Sequence, residues 1–145
     1  MKIGLFDHVE AADRPVSTLF DERLTFAQAA DEAGIYCLHV AEHIGLGRYG
    51  DPLDPLGTRK AAAELERVVA PGGQLLFSLP VGRPRVEFNA HRVHDPAEVA
   101  SWFSRCSLRE FAGVDDGGVF RRHRSLDELA GATYACGMYQ LIASA

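Results

Sequence analysis

The segment from Glu64 to Pro80 constrains this chain most. A helical stretch ends at Pro71-Gly72-Gly73, and the next residues, Gln74 to Leu79, form a continuous apolar run. Proline and glycine stop a helix, and a short apolar run bounded by such signals reads as a buried strand. Ahead of the stop, Ala61, Leu65, Val68 and Val69 recur at helical spacing and predict the apolar face. Asp54 is placed to cap this helix, with Pro55 at its first position, where a missing N–H does no harm. A continuous apolar strand after a helix is the pattern of a parallel sheet covered on both faces.

The start of the chain repeats that logic. Lys2 to Phe6 is a short apolar run. Residues 10–17 read as a loop, and Thr18 with Asp21 resembles a capping box. Phe20, Leu24, Ala27 and Ala30 then follow a helical period up to Gly34, and Ile35 to Val40 is a second apolar strand. Two strands joined by a helix imply a parallel pair. By the same crossover rule, strand 35–40 should also lie parallel beside strand 74–79. Further on, Asp95-Pro96-Ala97-Glu98 caps a helix that continues through Val99, Trp102 and Phe103. Both aromatic residues are expected in the core. Residues 107–114 and 134–142 read as two last strands, with a short helix near 126–130 between them. The order β-α-β-α-β-α-β-β predicts a reduced Rossmann-like, doubly wound α/β sheet of about five strands. It is mostly parallel, with an antiparallel C-terminal edge. The whole chain reads as one domain.

Composition narrows the function classes. The chain has 145 residues and a net charge of −5. That acidic balance argues against nucleic acid as a partner and against a polybasic membrane anchor. No apolar stretch reaches the roughly 20 residues of a membrane span. Cys37, Cys106 and Cys136 are odd in number and widely spaced, as reduced thiols of a cytoplasmic protein would be. Oligomeric state is left open. The string His39-x-x-Glu42-His43 matches an inverted zinc-protease pattern, but that chemistry needs a helical face and these residues end a strand. No metal is expected there.

Two resemblances follow. Glu64 to Pro80 resembles the helix–PGG–strand segment of class I S-adenosylmethionine-dependent methyltransferases. Residues from about 37 to 142 resemble an uncharacterised family of methyltransferase-like proteins. The marks are Glu42-His43-Ile44-Gly45-Leu46-Gly47-Arg48-Tyr49-Gly50-Asp51-Pro52, then Pro80-Val81-Gly82, then Phe88-Asn89-Ala90-His91-Arg92. In contrast, Gly4-Leu5-Phe6-Asp7-His8, Asp21-Glu22-Arg23-Leu24 and Ala29 to Gly34 resemble the opening of luciferase-like flavin or deazaflavin monooxygenases, as far as His43. The two meet near His39 to His43, so the chain reads as a chimera.

The methyltransferase resemblance implies S-adenosylmethionine as cofactor. In such enzymes a glycine turn after the first strand cradles it. Here Phe6 is followed by Asp7-His8-Val9-Glu10. The expectation is therefore a methyltransferase-like protein without the usual cofactor-binding half, weakly active or inactive. The alternatives are a monooxygenase fragment and a non-catalytic binding domain. Glu42, His43 and His91 are the candidate acid–base groups. Arg48, Asp51, Arg83, Asn89 and Arg92 are the candidates for holding a small-molecule or glycan-like substrate. Two bland readings stand beside these. Gly45-x-Gly47-x-x-Gly50 matches a dinucleotide fingerprint only formally, because Asp51-Pro52 interrupts it, and a plain loop is the alternative. The 89–92 segment also reads as a hydrogen-bonded loop that fastens the sheet edge.

Overall fold

In a computed structural model of the chain, residues 5–6, 38–39, 43–47, 50–88 and 90–145 are described. The chain divides into two compact units, Met1–Val40 and Ala41–Ala145. In the first, β1 (Leu5–Phe6) pairs parallel with β2 (Leu38–His39), Leu5 against Leu38. That is the expected parallel pair. The helix expected over residues 20–33 lies outside the described residues.

The second unit is built on one antiparallel sheet. Its long strands are β3 (Gln74–Val81), β6 (Cys106–Val114) and β8 (Ala135–Ala143). A short strand, β7 (Phe120–Arg121), completes the order β3-β8-β6-β7. A separate hairpin joins β4 (Arg85–Glu87) to β5 (His91–Val93). Helices α1 (Gly57–Val68), α2 (Pro96–Ser101) and α3 (Asp127–Ala130) fill the connections.

This arrangement corrects the expected fold class. The four-stranded sheet is antiparallel at every pairing, not a mostly parallel Rossmann-like sheet. Strand β3 pairs in full register with β8 rather than taking the expected place in a parallel series. Nor is β8 an edge, since it lies between β3 and β6. The physical reason is that a continuous apolar run reports burial on both faces and says nothing of a neighbour's direction. Two nine-residue strands, β6 and β8, offer a longer ladder than a crossover would.

The core lies on one face of this sheet. Phe77, Leu79, Val81, Phe111, Tyr139 and Leu141 meet Ala62 of α1, Val99 of α2 and Leu129 of α3. Trp102 and Phe103, just past α2, are buried there, as expected. Asp95 caps α2 as the sequence predicts, its carboxylate accepting from the Ala97 and Glu98 N–H groups at 2.9 and 3.0 Å. Beyond its short pairing with β7, β6 carries charge, with Arg122 gripping Glu110 through two bonds of 2.8 and 2.6 Å, and a bulge at Arg109 interrupts its ladder with β8. No helix among the described residues is long and apolar enough to cross a membrane.

Candidate functional site

Three segments converge where β3 ends: the glycine loop before α1, the β4–β5 hairpin, and the turn leading into β8. Each is held by side chains that the sequence nominated for binding.

The glycine loop is closed on itself. Gly45, Gly47 and Gly50 have φ of 75°, 71° and 80°, the left-handed region that glycine enters without strain. At Gly45 a Cβ would stand 2.3 Å from the Asp54 carbonyl oxygen, so glycine is also required by space. The Gly45 N–H donates to Asp51 Oδ2 at 2.5 Å, and the Asp54 N–H donates to the Gly45 carbonyl at 3.0 Å. An anion-binding loop needs such N–H groups pointing outward. Here Asp51 takes the Gly45 N–H, and the loop is a structural turn.

Arg92 locks that turn. Its side chain is buried, and its guanidinium donates to the Ile44 carbonyl, to Gly45 O at 3.0 Å, to Asp54 O at 2.8 Å and to Thr58 Oγ1 at 3.3 Å. A fork of donors satisfies three loop carbonyls at once. Arg92 is thus turned inward, away from any substrate.

The histidines sit on either side of Ala90. His43 Nδ1 donates to the Ala90 carbonyl at 2.5 Å. His91 packs edge-on against Tyr134 with ring centroids 4.8 Å apart, and Glu87 stands opposite it in the hairpin register. The turn before β8 is stapled to the hairpin. Arg83 Nε donates to Gly131 O at 3.1 Å, and Arg85 Nη1 donates to Thr133 O at 2.5 Å. Arg85 also pairs with Glu87 at 2.6 Å. Arg83 is exposed, and its terminal nitrogens make no hydrogen bond among the described residues, so it is the arginine here that can reach a ligand.

Of the sequence-nominated residues, the fold brings His43, Asp51, Arg83, His91 and Arg92 to this corner. Glu42, Arg48 and Asn89 lie outside the described residues. Tyr134, Glu87 and Thr58 were missed. The hairpin pairing that places Glu87 against His91 has only three residues a side, too short to show a period.

His94 adds a titrating group behind the corner. Its ring meets Trp102 edge-on at 4.9 Å, and neither His94 Nε2 nor Trp102 Nε1 has a hydrogen-bond partner among the described residues. Burial, assisted by the Arg92 charge, lowers its pKa from the ordinary 6.5 to about 4. The unfolded chain therefore takes up this proton before the folded one does. Stability from this group is complete above pH 6.5 and falls as the pH drops toward 4. After allowance for the ring's partial exposure, the loss is on the order of 1–2 kcal/mol. Urea unfolding at pH 7 and pH 4.5, followed by the fluorescence of the single tryptophan, should show that loss in the native protein and a flatter dependence in His94→Phe. Equal slopes in the two proteins would remove His94 from the account.

Comparison with known proteins adds a family and little chemistry. The family described as "Caenorhabditis protein of unknown function, DUF268" matches residues 17–112. The uncharacterized protein y4wF of Sinorhizobium fredii (strain NBRC 101917 / NGR234) is 37% identical over 43 residues, 30% of this chain and 13% of that protein. No solved structure matches the chain. A match over about two thirds of the sequence, continuous from the segment before β2 into β6, is decisive for membership: the chain belongs to the DUF268 family.

Proposed function

We propose that this chain is a methyltransferase-like domain that retains a substrate-facing corner and carries out little or no methyl transfer itself. The observation that carries the reading is Arg92. The arginine best placed to hold a ligand is committed to three loop carbonyls and a threonine. Asp51 is similarly committed to the Gly45 N–H. What the corner presents beside them is the exposed Arg83 as a donor, flanked by His43, bonded to the Ala90 carbonyl, and His91, packed on Tyr134, a set suited to a small-molecule or glycan-like substrate bearing hydroxyls or a carboxylate. We place the protein in the cytoplasm with its cysteines reduced, and its acidic charge disfavours nucleic acid.

S-adenosylmethionine is the cofactor the resemblance implies, and the glycine loop does not fit it. Gly45 packs against Asp54 and its N–H is taken by Asp51, so the loop does not turn that donor toward a ligand. The sequence after Phe6 offers Asp7, His8 and Glu10 in place of glycines. Calorimetric titration with S-adenosylhomocysteine should give a dissociation constant no tighter than about 1 mM. That is roughly 2.7 kcal/mol weaker than the order of 10 µM expected of a working site. Saturable micromolar binding that disappears in His43→Ala or His91→Ala would overturn the reading. A parallel titration with flavin mononucleotide addresses the monooxygenase resemblance of the first 43 residues, and saturable binding there would favour that alternative.

A further inference from the structure

At the opposite end of the sheet, beyond the first residue of β3 and the last of β8, lies a cavity of about 350 Å³. Its walls include Glu66 from α1, Val69 and Pro71 from the helix stop, Ser104 and Arg105 before β6, and Ser144 after β8. The frame is fixed by backbone bonds. The Gly72 N–H donates to Ala143 O at 3.2 Å, the Ala143 N–H to Gly73 O at 2.9 Å, and the Ser144 N–H to Arg105 O at 2.8 Å. The Ser144 hydroxyl donates to the same Arg105 oxygen at 2.9 Å. The cavity is therefore preformed.

Glu66 is the anomaly in this wall. It is 7% exposed, yet no cationic side chain pairs with it among the described residues. One carboxylate oxygen, Oε1, accepts the Arg105 backbone N–H at 2.6 Å. The Cys106 thiol meets the same carboxylate, and that contact helps to raise the thiol's pKa. A buried carboxylate held by an amide and a thiol, both neutral, and with no ion pair to the nearby Arg105 side chain, lacks the counter-charge that buried ions normally have. We propose that the cavity beside Glu66 binds a small organic cation, a primary ammonium or guanidinium group, whose charge meets this carboxylate while its carbon chain lies against Val69 and Pro71. A metal ion is a poor occupant, because hard cations need several carboxylate or carbonyl ligands and no cluster of three metal-ligating side chains exists among the described residues.

The Arg105 amide proton sits on the Glu66 carboxylate, so its NMR signal is a local probe. Titration of the whole chain with n-butylammonium should move that signal saturably, and n-butanol, its neutral counterpart, should not. Glu66→Gln keeps an oxygen to accept the Arg105 N–H and removes the charge. In that variant the ammonium should bind about tenfold more weakly or worse. Three results would each overturn the proposal: no saturable shift with n-butylammonium, an equal response to n-butanol, or unchanged affinity in the variant. The last would mean that Glu66 serves only to hold the start of β6. If Glu66→Gln does not fold, the contrast between the two ligands on the native chain decides alone.

Discussion

Replacing Arg92 with alanine should destabilise the Ala41–Ala145 unit by about 3–5 kcal/mol. The side chain is buried, and its fork satisfies the carbonyls of Ile44, Gly45 and Asp54 together with the Thr58 hydroxyl. Truncation would leave those acceptors facing a cavity too enclosed to hydrate them fully. An unmet buried acceptor costs about 1–3 kcal/mol, and several are lost here together. Arg92→Lys keeps the charge but offers one ammonium in place of a planar fork, and should lose about half as much. Urea unfolding followed by Trp102 fluorescence measures both. Hydrogen exchange at the Gly45 and Asp54 amides should accelerate in parallel, since both close the loop that Arg92 pins. A stability within about 1 kcal/mol of the native protein would mean that Arg92 is free for ligand after all, and would restore the substrate-binding role its sequence position suggested.

Local signals made much of the second unit legible. The stop at Pro71-Gly72-Gly73, the cap at Asp95 and the apolar runs placed β3, β6, β8 and α2 within a residue or two. These features act over a few residues, where steric and hydrogen-bonding rules leave little choice. The order of the strands was not legible. The insertion of β8 between β3 and β6 depends on contacts between residues far apart in sequence, such as Phe77 with Tyr139 and Phe111 with Tyr139. Right-handed crossover fixes the hand of a parallel unit once it exists, but it does not create one.

The face of α1 differs in part from its periodicity for a related reason, since Leu65 packs against the core as expected but the most buried positions are others. Periodicity selected Ala61, Leu65, Val68 and Val69, whereas the helix buries Gly57, Thr58, Ala62 and Glu66, and Val68 is 64% exposed. Two of the buried residues are polar and are buried because each has a distant partner. Thr58 meets Arg92 and Glu66 meets the Arg105 N–H. A hydropathy pattern cannot see such partners. The hairpin was missed because its exposed residues are apolar: Val86 and Phe88 are 61% and 90% exposed, so no burial alternation marks β4. The candidate corner was thus legible as a place, the segment after β3. Arg92 does fasten this region, as one reading of residues 89–92 has it, but from strand β5 rather than from a loop.

Tyr139 links that corner to the core, and Tyr139→Ala should cost about 3–5 kcal/mol. The side chain is 1% exposed and stands in register between Phe77 on β3 and Phe111 on β6. Its ring lies 6.5 Å from Phe77 and 4.9 Å from Phe111, while Phe77 meets Phe103 edge-on at 5.2 Å. Removing the ring opens a cavity at the centre of this cluster, with β-sheet backbone on one side that cannot collapse to fill it. The hydroxyl has a separate role, donating to the Pro96 carbonyl at 3.1 Å and so tying β8 to the first residue of α2. Burial and the nearby Asp95 charge push the phenol pKa far up, which keeps it a donor throughout any working pH. Tyr139→Phe should therefore lose only the bond, about 1 kcal/mol, and leave the cluster intact. The bond it loses anchors the segment that carries His94 and, two residues earlier, Arg92. Hydrogen exchange in Tyr139→Phe should rise first at the Val99 amide, which closes the first turn of α2 on Asp95. Equal losses in the alanine and phenylalanine variants would place all of the effect in the hydroxyl, and the aromatic cluster would then not be the centre of this fold.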